Sequence, residues 1–331
     1  MKRVMACGVL LAIALSGCSG SPTPPSDGRF FDLQSHRGGR GDWAEESLTA
    51  FAKSLELGVT TLELDTHLTD DGKVIVWHDR VIQAAKCKDT APATPGDVEF
   101  PYVGDRVAEL TLAQVRTLIC SPTDVPGQAS QDEGEESRIS ELKEVFRLVR
   151  DYDATEVRFN VETKVQRGKD GDDGALTKAV VDEIYRAGVA ERTTVQSFNW
   201  SSLNLVRKIA PELPLVALSH GPEWLGVGMP GASPELGGID IDDYDGSLAN
   251  AAAAQGYDVI SPAVESVTPE MIAEAHDLKL PVIPWTVNST EEMERLIDLG
   301  VDGMITDNPA RLRSVMEERG LKLPKAYKRK A

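Results

Sequence analysis

The chain has 331 residues, 35 Lys and Arg against 53 Asp and Glu, and a formal net charge of −18. A hydrophobic fraction of 41% with 27% charged residues is ordinary globular composition, which excludes bulk disorder. Residues 4–17 are the single long apolar run, which excludes a multi-span membrane protein, and the acidic balance argues against nucleic acid as a partner.

Lys2 and Arg3 precede that apolar run, which ends in Leu15-Ser16-Gly17-Cys18. A charged stretch followed by a short apolar one reads as a targeting segment over residues 1–17. Its end resembles a bacterial lipobox, in which cleavage leaves Cys18 as a lipidated first residue. The expectation is an exported protein, anchored by lipid to the bacterial cell membrane and facing outside the cytoplasm. Residues 18–30 are rich in Pro and Ser and read as a flexible tether. Loss of residues 1–17 removes Lys2 and Arg3, which moves the charge from −18 to −20. Such a charge disfavours adsorption to an anionic membrane, so attachment would run through the lipid.

Between residues 31 and 318, strand-like runs alternate with helical patterns. The strand candidates are 31–36, 60–66, 157–163, 193–197, 214–218, 257–261, 281–286 and 302–306. Helical segments fall between them, among them 46–57, 140–150, 176–187 and 291–299. Strands alternating with helices indicate βαβ units and a parallel sheet. Eight such units predict an α/β fold of the closed (β/α)₈ TIM-barrel kind. A doubly wound sheet would need a Gly-rich first βα turn, and none follows a strand at that spacing. Residues 80–137, rich in Pro, Asp and Gly, break the rhythm and read as an insertion after the second strand. The insertion holds Cys87 and Cys120, an even pair once Cys7 and Cys18 are set aside. In an exported protein a disulfide is favoured over two buried thiols. Neither Cys has a Cys or His at ligand spacing, which argues against zinc. Residues 319–331 are a basic C-terminal tail, whose stretch Lys325 to Lys330 is expected to be a solvated end.

In such barrels chemistry sits at the C-terminal ends of strands. The first strand ends in His36-Arg37-Gly38, and the second carries Glu63-Leu64-Asp65. The run 74–77 leads into His78-Asp79, the third strand carries Glu162-Thr163-Lys164, and the seventh ends at Trp285. Glu63 and Asp65 are two residues apart, so both side chains leave one face of their strand. Glu162, on the neighbouring strand, supplies a third carboxylate to the same point. Unpaired burial of such groups costs several kcal/mol. One divalent cation would offset it, and oxygen donors without Cys suit Ca²⁺ or Mg²⁺. Salt bridges to Arg37 and Lys164 without metal are the alternative. His36 and His78 beside this cluster read as an acid/base pair, one protonated and one neutral near pH 7. Arg37 and Lys164, with the ion, would form a phosphate-binding cage.

These segments resemble a known family, the glycerophosphodiester phosphodiesterases. The matching residues are His36-Arg37-Gly38, Ala44 to Phe51, Glu63 to Gly72, and His78-Asp79. Further matches are Asn160 to Lys164, Gln196-Ser197-Phe198, Trp285 to Asn288, and Gly300 to Pro309. The resemblance covers residues 31–318, and the insertion with Cys87 and Cys120 looks like that of secreted actinobacterial members. It implies metal-dependent hydrolysis of small-molecule glycerophosphodiesters, the deacylated phospholipid head-group esters, to sn-glycerol 3-phosphate and an alcohol. It implies that Glu63, Asp65 and Glu162 hold one divalent cation and that His36 and His78 act as general base and acid. Arg37 and Lys164 would bind the phosphodiester, with Trp285 on the substrate side. It also implies that the substrate's glycerol 2-hydroxyl attacks first, giving a cyclic phosphate that water opens.

Where the family usually shows Pro-Glu-Asn-Thr, this chain has Ala44-Glu45-Glu46-Ser47. Glu45 keeps the acidic position, either orienting Arg37 or approaching the metal, and Glu46 replaces an amide with a charge. Two other functions are weighed against the first: a lipid phosphodiesterase of the phospholipase D-like toxin type, and a non-catalytic, lipid-anchored binding protein. A binder needs no acid/base pair, so retention of both histidines argues against the last. The acidic stretch 240–246 fails the calcium-loop pattern, because Ile241 would occupy its first position.

Overall fold

The computed structural model describes residues 30–120, 137–165 and 174–329. The targeting segment, Cys18, the tether to residue 29 and residues 121–136 of the expected insertion lie outside the described residues.

β1 (Asp32–Ser35) runs through a short 3₁₀ turn (His36–Gly38) into α1 (Leu48–Leu57) and β2 (Thr61–Leu68). β3 (Val74–Val76) folds back on β2, and β4 (Cys87–Lys88), α2 (Leu112–Val115) and β5 (Ile119–Cys120) follow. Next come β6 (Ser140–Glu141), α3 (Leu142–Asp151), β7 (Arg158–Thr163), α4 (Ala175–Ala187), β8 (Thr193–Ser197) and α5 (Trp200–Ile209). β9 (Leu215–Ser219), α6 (Pro222–Leu225), α7 (Leu248–Ala254), β10 (Val259–Pro262) and α8 (Pro269–Asp277) precede α9 (Thr290–Leu299), β11 (Gly303–Thr306) and α10 (Pro309–Glu318).

Parallel pairing runs β10-β9-β8-β7-β2-β1-β11. Residues 281–287 complete the ring. Val282 and Trp285 bridge Ile260 and Ala263 in parallel on one side. On the other side the N–H groups of Asp302 and Ile305 donate to the carbonyls of Val282 and Pro284, both at 3.0 Å. Pro281 and Pro284 have no N–H to give, so this eighth strand makes isolated bridges rather than a continuous ladder. The architecture is therefore the (β/α)₈ TIM barrel that the alternation predicts.

Side chains alternate across each strand. Leu33, Leu62, Leu64, Phe159, Val161 and Val195 point outward into one core with Phe51, Leu55, Val145, Val180 and Ile184 of the surrounding helices. The other set, Asp32, Gln34, Glu63, Asn160 and Gln196, fills the barrel axis and is buried but polar. The barrel thus places its apolar core outside the sheet and hydrogen-bonding groups inside it.

α1 begins at Leu48, two residues later than the sequence pattern places it. Ser47 is extended and its hydroxyl accepts from the Ala50 N–H at 2.9 Å, a helix cap. Glu46 before it is left-handed, with φ of +60°, so it leaves the helix and enters the turn at the barrel mouth. α3 likewise starts at Leu142, because Ser140 and Glu141 pair with Val76 and Ile75.

The segment after β3 forms its own small cluster around Trp77, Ile82, Tyr102, Leu110 and Leu118. Cys87 lies opposite Cys120 in the β4–β5 pairing and the two are disulfide-bonded, 33 positions apart. The tail does not float free, contrary to expectation. Tyr327 is buried, and its N–H donates to the Leu55 carbonyl at 2.9 Å. Leu321 and Leu323 pack on the core, and Arg313 donates to the Pro324 carbonyl at 2.8 Å. Apolar residues interleaved with the basic ones dock this strip on the barrel floor, beside Phe31 and Val59, which precede β1 and β2.

Replacing Cys87 and Cys120 together by Ala opens a loop of this length, worth about 3–4 kcal/mol in the chain-entropy account. Denaturant unfolding of the oxidised wild type and the double variant should differ by that amount. Coincident curves would show that the bond contributes nothing to stability.

Candidate active site

The site grows from the tight turn after β1. Gly38 has φ of +80°, and a Cβ there would lie 2.9 Å from Ala50 Cβ, so the turn closes directly on α1. Arg37, also left-handed at φ 51°, is thereby turned into the mouth. Its N–H donates to Glu63 Oε2 and its Nη1 to Glu45 Oε2, both at 2.9 Å. Its Nε lies 3.0 Å from Asp65 Oδ2, an ion pair whose alignment is too poor for a hydrogen bond. Glu45 thus pairs with Arg37, one of the two roles that the sequence leaves open.

Glu63 and Asp65 leave β2 on one face, and Glu162 on β7 is the registered neighbour of Asp65. Oxygens of all three buried carboxylates lie within 4.8 Å of one another. Lys164 approaches Glu162 at 3.0 Å and Asp65 at 3.6 Å. Glu46 adds a buried carboxyl that the sequence reading does not place here. Its Oε1 accepts from the Asp65 N–H at 3.1 Å, and its Oε2 has no hydrogen-bond partner among the described residues.

Five buried carboxyls, Glu45, Glu46, Glu63, Asp65 and Glu162, thus meet two buried cations, Arg37 and Lys86, and the half-buried Lys164. The imbalance shows in their acidities. Burial and the neighbouring Asp65 push the Glu63 and Glu46 carboxyls well above the usual range. Burial lifts Glu162 to about 8, against the pull of Lys164. Asp65 goes the other way, because Lys164, His78 and Arg37 outweigh its burial. A divalent cation fits this donor set: three hard oxygen ligands, surplus negative charge, and a buried oxygen without a partner.

Each histidine is held by a carboxylate. His36 Nδ1 lies 2.5 Å from Asp307 Oδ1, and Asn288 fixes Asp307 through both its amide nitrogen and its oxygen. His78 Nδ1 lies 2.8 Å from Asp79 Oδ1, and Asp79 also meets Lys86. With Nδ1 engaged, Nε2 is the nitrogen of each ring available to a substrate. Burial pushes the pKa of both imidazoles below its ordinary value, with Arg37 adding to this at His36 and Asp65 and Asp79 opposing it at His78. Both rings are therefore neutral near pH 7 until a ligand alters the site.

A hydrogen-bonded ladder supports the acidic trio from below. Gln196 donates to Glu63 Oε1 at 2.6 Å, and Asn160 donates to Gln196 at 2.8 Å and to Gln34 at 2.9 Å. Gln34 and Thr61 donate to Asp32 at the floor, at 2.9 and 2.7 Å. Period-two spacing of polar residues in β1, β7 and β8 carries this signal in the sequence. Asn288 and Asp307 fall within the matched segments 285–288 and 300–309, but their pairing with His36 follows only from the fold, and Lys86 carries no such signal.

His36, Arg37, His78 and Lys164 line one cavity of about 200 Å³ with Phe198 and Trp285. Phe198 stacks on His220 at 4.5 Å and meets Trp285 edge-on at 5.2 Å. The Trp285 N–H donates to the Ser261 carbonyl at 3.0 Å, so this residue offers the cavity an apolar surface and not a phosphate donor. The 240–246 stretch is a 3₁₀ turn, and its Asp242 accepts from the Gly228 N–H.

The model of the glycerophosphoryl diester phosphodiesterase family matches residues 36–311. A glycerophosphodiester phosphodiesterase from Caldanaerobacter subterraneus subsp. tengcongensis is 29% identical over 291 residues, 86% of this chain and 97% of its own. A mouse lysophospholipase D is 26% identical over 312 residues, 85% of each. A Silicibacter pomeroyi crystal structure carrying the glycerophosphoryl diester phosphodiesterase name has a TM-score of 0.74 at 30% identity, covering 92% of this chain and 96% of that one. An Oleispira antarctica phosphodiesterase, solved with the product sn-glycerol-3-phosphate, shares the fold at a TM-score of 0.66 and 16% identity, over 87% and 97% of the chains. With the match running from the histidine turn after β1 into the last helix, the chain belongs to the glycerophosphoryl diester phosphodiesterase family.

Proposed function

We propose that this phosphodiesterase hydrolyses glycerophosphodiesters to sn-glycerol 3-phosphate and an alcohol, with His36 and His78 moving the protons. The observation that carries this reading is the meeting of both carboxylate-held histidines, two cations, Glu63 and Glu162 at one small cavity, with Asp65 clustered against the two carboxylates. Arg37 and Lys164 bind the non-bridging phosphate oxygens. One histidine takes the proton from the attacking hydroxyl, either the glycerol 2-hydroxyl or water, and the other gives a proton to the departing alkoxide as the P–O bond breaks; where the 2-hydroxyl attacks, water then opens the cyclic phosphate to sn-glycerol 3-phosphate with the two proton roles reversed. Glu63, Asp65 and Glu162 would hold a divalent cation, Ca²⁺ or Mg²⁺, which supplies positive charge to the phosphate and acidity to a nearby hydroxyl. Trp285 and Phe198 shape the apolar side of the cavity. Residues 1–17 serve as a lipoprotein signal and Cys18 as the site of the anchor; the apolar run and the Leu-Ser-Gly-Cys sequence support this.

Turnover of glycerophosphocholine before and after EDTA treatment tests the whole reading. Full activity in metal-free enzyme would remove the ion from it. No turnover of any glycerophosphodiester in the metal-loaded enzyme would overturn it.

Glu162 at about 8 and Glu63 well above its ordinary value must shed protons to ligate a cation. Binding of Ca²⁺ or Mg²⁺ should therefore release protons at pH 7 and tighten as pH rises through 8. Calorimetry in two buffers of different ionisation enthalpy reads this directly; identical heats would contradict it.

His36→Ala and His78→Ala should each lower kcat by about 10²–10⁴. A p-nitrophenyl ester, whose leaving group departs without a proton, should rescue the variant lacking the acid and not the one lacking the base. Equal rescue of both would show the assignment to be wrong. The neutral base is the active form, and burial lowers its pKa. The acid limb of kcat/KM should therefore fall below pH ~6.5, the ordinary imidazole value.

A further inference from the structure

Lys86 belongs to the disulfide-bonded insertion, yet its ammonium is buried at the edge of the active site. It lies 2.5 Å from Glu45 Oε1 and pairs with Asp79 on its other side. Its Nζ also sits 5.7 Å from the centre of the Trp77 ring. Glu45 holds Arg37, and Asp79 holds His78. One ammonium thus joins the carboxylate that orients the phosphate-binding arginine to the carboxylate that orients a histidine.

The main chain fixes this ammonium from the insertion side. The N–H groups of Lys86 and Cys87 both donate to the Gln83 carbonyl, at 3.0 and 2.8 Å, which forms a tight turn. The next residue is then cross-linked to Cys120. Lys86 is not among the residues lining the cavity, so it does not touch the substrate. Without it, Asp79 would keep His78 as its partner and lose the contact that sets its own orientation. Glu45 would keep Arg37 and, from farther away, Arg40 at 3.7 Å. A carboxylate with one partner can swing, and the ring or guanidinium it holds swings with it.

We propose that Lys86 is a positioning residue for the hydrolysis, setting His78 through Asp79 and Arg37 through Glu45, so that the insertion completes the active site. The inference rests on the catalytic reading above. The ammonium acts as a clamp: it exchanges no proton with the substrate, and its work is finished before the substrate arrives.

The test uses the full, disulfide-bonded enzyme, loaded with Ca²⁺ or Mg²⁺, and glycerophosphocholine. Lys86→Met should lower kcat/KM by about 10–100-fold, the range for partners one step removed from reacting groups. Lys86→Arg should recover to within about threefold of wild type, because it keeps two donors on one cation. In an Asp79→Asn background, where the pair is already broken, Lys86→Met should cost kcat less than about threefold, since residues in one network are not additive. Lys86→Met at wild-type rates, or with the same kcat loss in both backgrounds, would overturn the proposal. If Lys86→Met fails to fold, Lys86→Gln takes its place with the same criteria.

A second readout does not depend on turnover. The ¹⁵N and ¹H resonances of the His78 ring report its hydrogen bond to Asp79, and they should shift in Lys86→Met and return in Lys86→Arg. Unchanged resonances in an enzyme that is itself active would sink the clamp. Absence of turnover in the wild type, with the resonances shifting as expected, would instead sink the choice of substrate and leave the clamp standing.

Discussion

The site depends on one electrostatic imbalance: five buried carboxyls share two buried cations and the half-buried Lys164. Water cannot screen these charges, so each carboxylate that stays ionised needs its own compensation. Arg37 meets this demand through Glu45, Glu63 and Asp65 at once, and for that reason it takes a left-handed backbone that few non-glycine residues adopt. Lys164 compensates only part of Glu162 and part of Asp65. What remains uncompensated lies at Glu46, Glu63 and Glu162, the groups whose protons are held most tightly. A divalent ion or an uptake of protons can close the gap, and the two compete for the same oxygens.

A site so loaded needs a rigid floor, and the barrel interior supplies one. Many barrels pack branched aliphatic side chains along the axis. Here the chain Asp32, Gln34, Asn160, Gln196, Glu63 crosses four neighbouring strands with each link at 2.6–2.9 Å. Fully satisfied buried networks of this kind specify a single arrangement of their members. The apolar contribution to stability is displaced outward to the sheet–helix layer, where Phe51, Phe159 and Leu64 are fully buried. Folding and chemistry thereby use opposite faces of the same strands.

Much of this was legible in the residues because it is local. The apolar runs around Leu33, Leu62 and Val161 mark strands, and two-residue spacing puts Glu63 and Asp65 side by side. Cysteine counting identifies the disulfide. What was not legible depends on contacts distant along the chain: Asp307 is 271 positions from His36, and Gln196 is 133 from Glu63. Glu46 was misread as a helical position because propensity ignored the cap at Ser47, which starts the helix one residue after itself. The tail was misread because its lysines conceal the apolar residues between them. Tyr327 docks while Lys325 and Lys328 face solvent.

The docked tail and the entry to β1 share the barrel floor, where Phe30, Phe31 and Tyr327 line one hollow. The mouth is at the other end of the same strands. A lipid carried on Cys18 would therefore pull on the underside of the barrel, through 12 residues, 18–29, that extend to about 40 Å at most. With the attachment proposed, the catalytic opening would lie at the end of the barrel opposite the point of attachment, open to molecules arriving by diffusion. The enzyme would then work as a moored scavenger of water-soluble esters: an acyl chain still seated in the membrane beneath it would have to round the full height of the barrel to reach His36 and His78.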